Sequence, residues 1–514
     1  MSRLRALAPW ELAFLALVFA WAFAPVVVLV VESLRHGYTL TGADGPIPGD
    51  QLQYLAWVRD AGEHGLAANL FELRPSGHVF VHPMFTPSGL ANRLGLPIPV
   101  AYWLWKPGAA LALAAGALVW VKRLLPGRPG AQAGAASLAL FSFSPLSASV
   151  LWGDVGSATT RSHIYTSAGE LFAAGELWGY AQTAIAIGLM PAVLLLVERA
   201  LRGKPAAALA WATAAGAAVS WLHPWQGVTL ALVLGALAAW PGQPHRRRLL
   251  TLVPVAGLAA PLGYYALLAH YDVAWELASR QNQVGHPPVY ALVLALAPLA
   301  LAAAFGLRRP GDDLIERALL LWIAASLVAL AALKAFPPHF LAGLSFPLSV
   351  LAVRGAGRIG ASRAMAAGAV AVATLPGMAY VARELHRVYG LPVQQLYLVG
   401  DEADALAYVR HGAPPGGVLA SPRLATSVPS QTGRAVWEGH PSWTPDYEAR
   451  VAASQQLFTG ALAPGAAREL VGTSGARVLV AGCGDRADLR PLLGPLVART
   501  RRFGCATVYE LRQV

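Results

Sequence analysis

Charged residues are scarce in this sequence. Only 13% of its 514 residues are Asp, Glu, Lys or Arg, against about 25% in soluble domains, and 56% are hydrophobic. This composition excludes an ordinary water-soluble enzyme, a disordered chain and a collagen-like chain. With only two cysteines the chain is not a disulfide scaffold, and the sequence contains no internal repeat, Walker loop or Rossmann glycine fingerprint.

Basic residues outnumber acidic ones. The 39 Lys and Arg against 27 Asp and Glu give a net charge of +12, which by itself would suit a nucleic-acid-binding protein. In so apolar a chain, basic cytoplasmic loops explain the excess better, and we expect no nucleic-acid partner. Charged residues are also unevenly distributed. They make up about 11% of residues 1–382 and about 19% of residues 383–514. We therefore predict a membrane domain over 1–382 and a soluble domain over 383–514.

Apolar runs predict the membrane-spanning helices. A span needs about 20 apolar residues, and by this measure the sequence predicts a polytopic α-helical membrane protein with about eleven transmembrane helices. The runs are Leu12–Val31, Pro99–Val121, Gly130–Trp152, Leu177–Val197, Pro205–Leu222, Pro224–Trp240, Leu249–Ala269, Pro287–Leu307, Ala318–Leu333, Phe340–Val353 and Ala364–Ala382.

Loop charge predicts the orientation. If the N-terminus is cytoplasmic, 17 of the 25 basic residues of positions 1–382 lie in inner loops, and 11 of the 16 acidic residues lie in outer loops. An odd number of spans then places residues 383–514 outside. We predict a multi-pass protein of the cell inner membrane with an extracytoplasmic C-terminal domain.

Two outer segments have patterns of their own. The first outer loop, residues 33–96, is far longer than the typical connection of about 4–6 residues. Its residues 51–61 place apolar side chains on one broad side, which predicts a helix lying at the membrane surface. The C-terminal segment alternates two patterns that predict a small α/β domain, with helices at 402–411, 447–460 and 489–502 and strands at 417–421, 477–481 and 506–511.

Both cysteines lie in the C-terminal segment. Cys483 ends one predicted strand and Cys505 starts another. An extracytoplasmic location permits disulfides, so the two residues either pair or remain buried thiols.

Two acidic residues each follow a span that runs outward. Asp50 lies just beyond the first span, and Asp154 lies where the third span emerges. Each has a plain structural alternative, since Asp50 and Gln53 fit a helix capping box and Asp154 fits a solvated loop. Because both emerge at the same outer boundary before long loops, we predict catalytic carboxylates that act as a general base and as a metal or hydroxyl orienter.

These features together resemble the C-type (GT-C fold) integral-membrane glycosyltransferases. The resemblance rests on the first span with its long acidic outer loop, the second acidic motif, the basic inner loops and the outer tail, and it covers roughly residues 1–382. The tail patterns Gln431–Arg434 and Gly439–Thr444 also look like outer domains of bacterial members, without an assigned chemistry.

The resemblance implies transfer of a sugar, a hexose or a pentose, from a polyprenyl-phosphate donor to an extracytoplasmic glycan, lipid or protein. Asp50 matches the family's first-loop catalytic acid and would deprotonate the acceptor, with inversion at the anomeric carbon. Asp154 matches the second acidic motif and would orient the acceptor or hold a divalent cation. That motif often has two acids one residue apart, whereas Gly156 stands at the second position here.

A lipid-phosphate donor needs cations near the outer boundary. Lys334 is the strongest candidate because it interrupts an apolar run. Each of the others is equally explained as an interfacial anchor or a structural histidine. The predicted substrate-binding residues are Lys334, Arg161, Arg280, Lys106, His223 and His339.

The pair His78 and His82 has the four-residue spacing of two metal ligands on a helix. The intervening Val79, Phe80 and Val81 favour an extended segment instead, which disfavours that metal site.

The main alternative to an enzyme is a transporter or flippase for a lipid-linked saccharide. The interrupted apolar run at Pro337 and Pro338 favours it, and the lack of repeated halves disfavours it. A membrane scaffold whose tail binds a partner is a third hypothesis.

The orientation is testable with fusions at the C-terminus. An alkaline phosphatase fused after Val514 should be active, because the segment from residue 383 onward is expected outside. A fluorescent protein that matures only in the cytoplasm should stay dark at the same position. The reverse pattern would place the acidic loops in the cytoplasm and contradict the assignment.

Overall fold

A computed structural model of the chain describes residues 7–203, 205–242, 244–389, 395–485 and 487–512. The fold is 69% helical and has two compact units. Unit 1 contains the described residues of Met1–Ala24, Lys106–Ala266 and Gln283–Glu384. Unit 2 contains those of Pro25–Trp105, Leu267–Asn282 and Leu385–Val514, so the first long loop shares a unit with the C-terminal segment.

Helices make up most of both units. Within the described ranges, short 3₁₀ turns accompany them at Ala173–Leu177, Pro337–Leu341 and Gly494–Leu496. The helices up to residue 281 are α1 (Pro9–His36), α2 (Pro48–His64), α3 (Phe85–Arg93), α4 (Ile98–Trp103), α5 (Lys106–Leu124), α6 (Pro129–Phe141), α7 (Pro145–Trp152), α8 (Ala158–Leu171), α9 (Ala181–Arg202), α10 (Pro205–Leu222), α11 (Pro224–Ala239), α12 (His245–Tyr271) and α13 (Val273–Gln281). The later helices are α14 (Val289–Gly306), α15 (Leu314–Ala332), α16 (Ser345–Arg358), α17 (Arg363–Tyr389), α18 (Gly400–His411), α19 (Pro422–Ala425), α20 (Val428–Thr432), α21 (Tyr447–Thr459), α22 (Pro464–Ser474) and α23 (Leu489–Leu493).

The described residues contain seven helices that are long and apolar enough to cross a membrane, which fits a multi-pass membrane protein. The number is eight if α6 and α7, which meet at an angle of 43°, count as one span. Helices α10 and α11 are apolar but shorter. The seven are Pro9–His36, Ile98–Leu124, Ala181–Arg202, His245–Tyr271, Val289–Gly306, Leu314–Ala332 and Arg363–Arg387.

The predicted number of eleven spans therefore stays a prediction. The difference lies mainly in short or broken segments. The run Phe340–Val353 falls on the 3₁₀ turn at Pro337–Leu341 and on the 14-residue helix α16. At 1.5 Å per residue a helix of this length reaches about 21 Å, short of the roughly 30 Å hydrocarbon core.

Glycines set the packing of two central helices in unit 1. A Cβ atom added to Gly116 of α5 would collide with the backbone carbonyl of Gly188 in α9, and one added to Gly188 would collide with that of Ala112. The two backbones can approach this closely only because both positions lack a side chain, as in the small-residue contacts of membrane helices. The two glycines thus allow α5 and α9 to pack closely against each other.

Ion pairs join the charged ends of the unit 1 helices. Arg123 at the end of α5 binds both Glu198 of α9 and Asp313 before α15. Glu316 of α15 binds Arg354 and, through a second close contact, Arg308. These basic residues belong to the predicted inner loops. Their ion pairs therefore also link the ends of neighbouring helices.

The described residues of unit 2 contain two small sheets. Strand β1 (Thr39–Leu40) pairs antiparallel with β2 (Tyr397–Leu398). The second sheet has the order β3-β4-β6-β5, with β3 parallel to β4 and the other pairs antiparallel. Its strands are β3 (Val418–Ala420), β4 (Val478–Ala481), β5 (Val497–Phe503) and β6 (Ala506–Leu511).

The sequence-based elements of the C-terminal segment agree with the structure except at 489–502. That stretch is a single turn of helix, α23, followed by strand β5 rather than one long helix. Gly494 has a positive φ of 54° and Pro495 cannot continue the helical hydrogen bonds, so the helix ends there. Strand β5 then forms a hairpin with β6.

The helix predicted over 51–61 is present as part of α2, but its surroundings differ from the prediction. Eleven of the twelve residues from Gln51 to Gly62 are buried, and Tyr54 is partly exposed. A helix lying on a membrane would keep one polar face in water, whereas α2 packs against α3, α4 and α20 of its own unit. Polar residues such as Gln51, Gln53 and Arg59 are therefore interior groups.

Cys483 and Cys505 form a disulfide with their Cα atoms 4.8 Å apart. They follow β4 and precede β6, and those two strands are hydrogen-bonded neighbours, with Ala481 opposite Thr507. The disulfide alternative of the sequence analysis is thereby confirmed.

Removing this disulfide should destabilise the protein. Closure of its 22-residue loop is worth about 3 kcal/mol in the chain-entropy account, so Cys483→Ser with Cys505→Ser should lower the melting temperature. Thermal unfolding in detergent with and without reductant is the measurement. Reductant should shift the wild type and leave the double variant unchanged, and a wild type indifferent to reductant would contradict the prediction.

Candidate active site

Asp50 lies in the first turn of α2. Pro48 occupies the first helical position, for which proline is well suited. Ile47 is the N-cap and makes no side-chain cap, so Asp50 and Gln53 do not form the capping box that was the structural alternative for Asp50. The carboxylate instead stands near the positive end of the helix dipole, and its side chain is 39% exposed.

The loop before α2 is ordered by Gln51. Its Oε1 accepts hydrogen bonds from the backbone N–H of Asp44, at 2.6 Å, and of Gly45, at 3.0 Å. Asp44 is fully buried. These bonds fix the entry of the chain into α2 and with it the position of Asp50.

His440 is the hydrogen-bond partner of Asp50. Its Nε2 lies 3.3 Å from Oδ1 of Asp50, and its side chain is only 4% exposed. Its Nδ1 accepts a hydrogen bond from the backbone N–H of Ser442 at 3.1 Å, so Nδ1 carries no proton. The proton of the neutral ring is then on Nε2, and Nε2–H donates to the carboxylate of Asp50.

A tight turn holds His440 in this orientation. The hydroxyl of Thr444 accepts from the backbone N–H of Gly439 and of His440, at 3.2 and 3.3 Å, and donates to the carbonyl of Phe71 at 2.9 Å. Asn69 donates to the carbonyl of Trp443 at 2.9 Å. The pattern Gly439–Thr444, for which the sequence indicated no chemistry, thus presents the imidazole to Asp50.

Aromatic side chains of unit 2 pack around Trp57 of α2. The rings of Trp57 and Trp275 are nearly parallel with centroids 6.1 Å apart, and Trp443 meets both edge-on at 5.3 and 5.0 Å. Trp275 is partly exposed. Such faces can stack on the apolar side of a sugar ring.

A second carboxylate near His440 is deeply buried. Burial raises the pKa of Glu438 to about 7, and Arg450 opposes this shift. Glu438 is therefore at least partly protonated near neutral pH, whereas Asp50 is half-exposed.

Asp154 and Arg161 lie together in unit 1. Nε of Arg161 lies 3.7 Å from the Asp154 carboxylate, and its Nη1 donates to the backbone carbonyls of Asp154 and Gly156 at 3.1 and 2.6 Å. Asp154 has a positive φ of 50°, which aspartate tolerates better than most residues. The pair is exposed to solvent and connects two residues that the sequence analysis had predicted separately.

The predicted phosphate-binding lysines and arginines have different environments. Lys106 is buried, and its Nζ donates to the carbonyls of Ala22 and Leu177 at 3.2 and 2.6 Å. Arg280 forms a surface ion pair with Glu276 at 3.1 Å. Lys334 is exposed, and across the described ranges of the chain no residue makes a hydrogen bond or ion pair with it.

His223 and His339 meet in unit 1. Their rings are 5.1 Å apart, and Nδ1 of His339 lies 2.8 Å from Oε1 of Glu170. The amide of Gln226, whose Oε1 contacts the His223 ring, donates to the carbonyls of His339 and Ala342. Glu170 was not predicted, because nothing in its local sequence signals a partner 169 residues away.

His78 and His82 do not form a site with each other. Nδ1 of His82 accepts from the backbone N–H of Met84 and Phe85, whereas His78 groups with Asp60 and His64. The segment between the two histidines is not helical, so they do not have the spacing of two ligands on one helix face.

Among the comparisons with known proteins, only the comparison with solved structures found similar proteins. No protein-family model matches the chain, and no curated protein sequence is similar to it. The oligosaccharyltransferase of Archaeoglobus fulgidus in the apo form is similar over 98% of this chain and 74% of its own, with a TM-score of 0.54 and 14% identity. ArnT from Cupriavidus metallidurans bound to undecaprenyl phosphate is similar over 98% of both chains, with a TM-score of 0.52 and 13% identity.

A third similar structure is the arabinofuranosyltransferase AftD from mycobacteria. Its similarity covers 98% of this chain and 42% of AftD, with a TM-score of 0.55 and 17% identity. At identities this low, similarity of structure establishes the fold. The chain has the GT-C fold that these three membrane glycosyltransferases share.

Proposed function

We propose that this protein is a membrane glycosyltransferase that moves a sugar from a polyprenyl-phosphate donor to an extracytoplasmic acceptor. The observation that carries the proposal is the half-exposed Asp50 carboxylate, held by the neutral His440 at the start of α2, in a chain that has the GT-C fold over nearly its full length. Solved structures with this fold include ArnT bound to undecaprenyl phosphate and AglB in complex with an inhibitory peptide and a dolichol-phosphate.

Asp50 would act as the general base. Its carboxylate accepts the proton of an acceptor hydroxyl while the hydroxyl oxygen attacks the anomeric carbon of the donor sugar. The bond from that carbon to the phosphate oxygen breaks, and polyprenyl phosphate leaves with the bonding electron pair. Because this is a single displacement, the configuration at the anomeric carbon inverts.

His440 would position the base. The Ser442 hydrogen bond fixes Nε2–H of His440 toward Asp50, and this contact holds the carboxylate in place for proton transfer. The burial of His440 and the turn around Thr444 restrict the ring, which keeps the carboxylate oriented.

The acceptor would bind beside the aromatic cluster of Trp57, Trp275 and Trp443. The amide of Gln281 donates to the carbonyl of Thr444 at 3.1 Å, and Ser442 donates to Asn282 at 3.0 Å. Polar groups next to aromatic faces are typical of carbohydrate recognition.

Lys334 is the residue that we propose for contact with the donor phosphate. It is exposed and unpaired within the described chain, whereas Lys106 is engaged by two carbonyls and Arg280 by Glu276. An exposed ammonium at the end of an apolar helix suits a lipid headgroup.

Asp154 would orient substrate together with Arg161. The guanidinium beside its carboxylate already supplies positive charge, and Gly156 stands where a second acid would be needed for a cation site. These residues fit a divalent cation poorly, so no step is assigned to a metal. We propose the inner membrane as the location, with a cytoplasmic N-terminus and residues 383–514 outside.

Replacing Asp50 by Asn tests the base assignment. A general base contributes typically about 10²–10⁴-fold to rate, and Asn keeps the shape of the side chain while removing its basicity. Release of polyprenyl phosphate by the purified protein in detergent, with a panel of acceptors, should fall by about that factor. The exposed Asp404 of the same unit provides the control, and Asp404→Asn should keep wild-type turnover.

Activity unchanged in Asp50→Asn would refute Asp50 as the base. The same preparation reconstituted in vesicles separates enzyme from transporter. Movement of the lipid-linked saccharide across the vesicle membrane without a glycosidic product would instead support the flippase alternative.

His440 variants test the positioning role. His440→Ala should lower kcat by about 10-fold or more with KM nearly unchanged, because the carboxylate loses its orienting donor but substrate contacts remain. His440→Gln retains an N–H that can reach Asp50 and should recover part of the rate. Equal activity of the Ala and Gln variants would contradict an orienting hydrogen bond.

A further inference from the structure

Asp60, His64 and His78 form a cluster in unit 2 that the proposed reaction does not use. Nδ1 of His64 lies 2.8 Å from Oδ1 of Asp60, and Nδ1 of His78 lies 2.9 Å from Oδ2. Asp60 and Asp50 are ten residues apart on α2, which places them about 15 Å apart along the helix axis. The cluster is therefore separate from the candidate base.

The position of each residue follows from local structure. Asp60 and His64 are four residues apart on α2 and so lie on the same face of the helix. His78 comes from the extended segment that follows, where Phe80 pairs with Ala67 in a short bridge. The backbone N–H of Ala68 donates to Oδ2 of Asp60 at 2.6 Å and fixes the orientation of the carboxylate.

Charge balance at Asp60 is unusual. The carboxylate is 1% exposed, and the two imidazoles are its ion-pair partners among the residues that the structure describes. The neighbouring Arg59 turns away, toward the carbonyl of Ser430 and the side chain of Glu63. Burying the charge of a carboxylate is costly, and a cation between the three side chains offsets that cost.

We propose that Asp60, His64 and His78 bind a divalent transition-metal ion such as Zn²⁺. The ligand atoms lie within 4.8 Å of one another, and ligands around tetrahedral zinc are about 3.3 Å apart at bond lengths of 2.0–2.2 Å. Only the two imidazoles need to move, and their side chains are 47% and 38% exposed. With the ion bound, each neutral ring carries its proton on Nε2, so that the lone pair of Nδ1 faces the metal.

The donor set selects the class of metal. Two imidazoles and one carboxylate suit Zn²⁺ and its neighbours, whereas Ca²⁺ and Mg²⁺ require more oxygen ligands. Three protein ligands leave the fourth position for water. The ion joins the end of α2 to the segment at His78, so its role is to stabilise this part of unit 2, and it takes no part in sugar transfer.

Zinc stoichiometry of the purified full chain in detergent tests the proposal. After treatment with a chelator and addition of zinc chloride, the wild type, freed of any affinity tag, should retain about one zinc per chain and melt about 3 °C or more above the chelated sample. His78→Ala and Asp60→Asn should weaken zinc binding by about 10-fold or more. His411→Ala, an exposed histidine of the same unit, should bind like the wild type.

Two further measurements test whether the His78 variant folds and where the zinc binds. Melting of chelated His78→Ala at the temperature of the chelated wild type shows that the variant folds, and the effect on zinc is then local. Wild-type protein without bound zinc, or zinc lost equally in His411→Ala, would overturn the proposal. Zinc lost in Asp50→Asn but retained in His78→Ala would place the metal at the base and overturn it as well.

Discussion

The hydrogen bond from His440 to Asp50 joins residues 390 positions apart in the chain, and the candidate site depends on it. The bond exists because the first long loop and the C-terminal segment fold as one unit. Thr444 and Asn69 hold the two segments against each other through backbone carbonyls. A half-exposed carboxylate acquires a fixed orientation in this way.

Unit 1 follows a different constraint, which is the satisfaction of backbone groups in an apolar environment. Where its helices begin, bend or end, some backbone carbonyls lack a donor within the helix. Buried polar side chains donate hydrogen bonds to these carbonyls. Lys106 does this for Ala22 and Leu177, and the indole of Trp178 does it for Trp21, whose carbonyl loses its helical partner because Pro25 has no N–H. Residues that suggest ligand contacts in the sequence can therefore be structural.

Prediction from the sequence succeeded where long apolar runs define a helix. It failed where single residues determine where a helix begins or ends. Long apolar runs such as Leu12–Val31 gave helices whose bounds lie within a few residues. The helix predicted over 489–502 failed because Gly494 and Pro495 stop it. The capping-box alternative for Asp50 failed because Pro48 starts α2 three residues earlier than that motif requires. The burial of α2 was missed since an apolar stripe does not reveal what covers the opposite face.

The sequence by itself determined the membrane class and most helices, because composition and periodicity act locally along the chain. It also pointed to Asp50 and to the two cysteines that pair. Only the tertiary structure decided the partners: His440 for Asp50, Arg161 for Asp154, and Asp60 with His64 for His78. Such contacts join distant segments, and their formation depends on the packing of a whole unit, which no local pattern encodes.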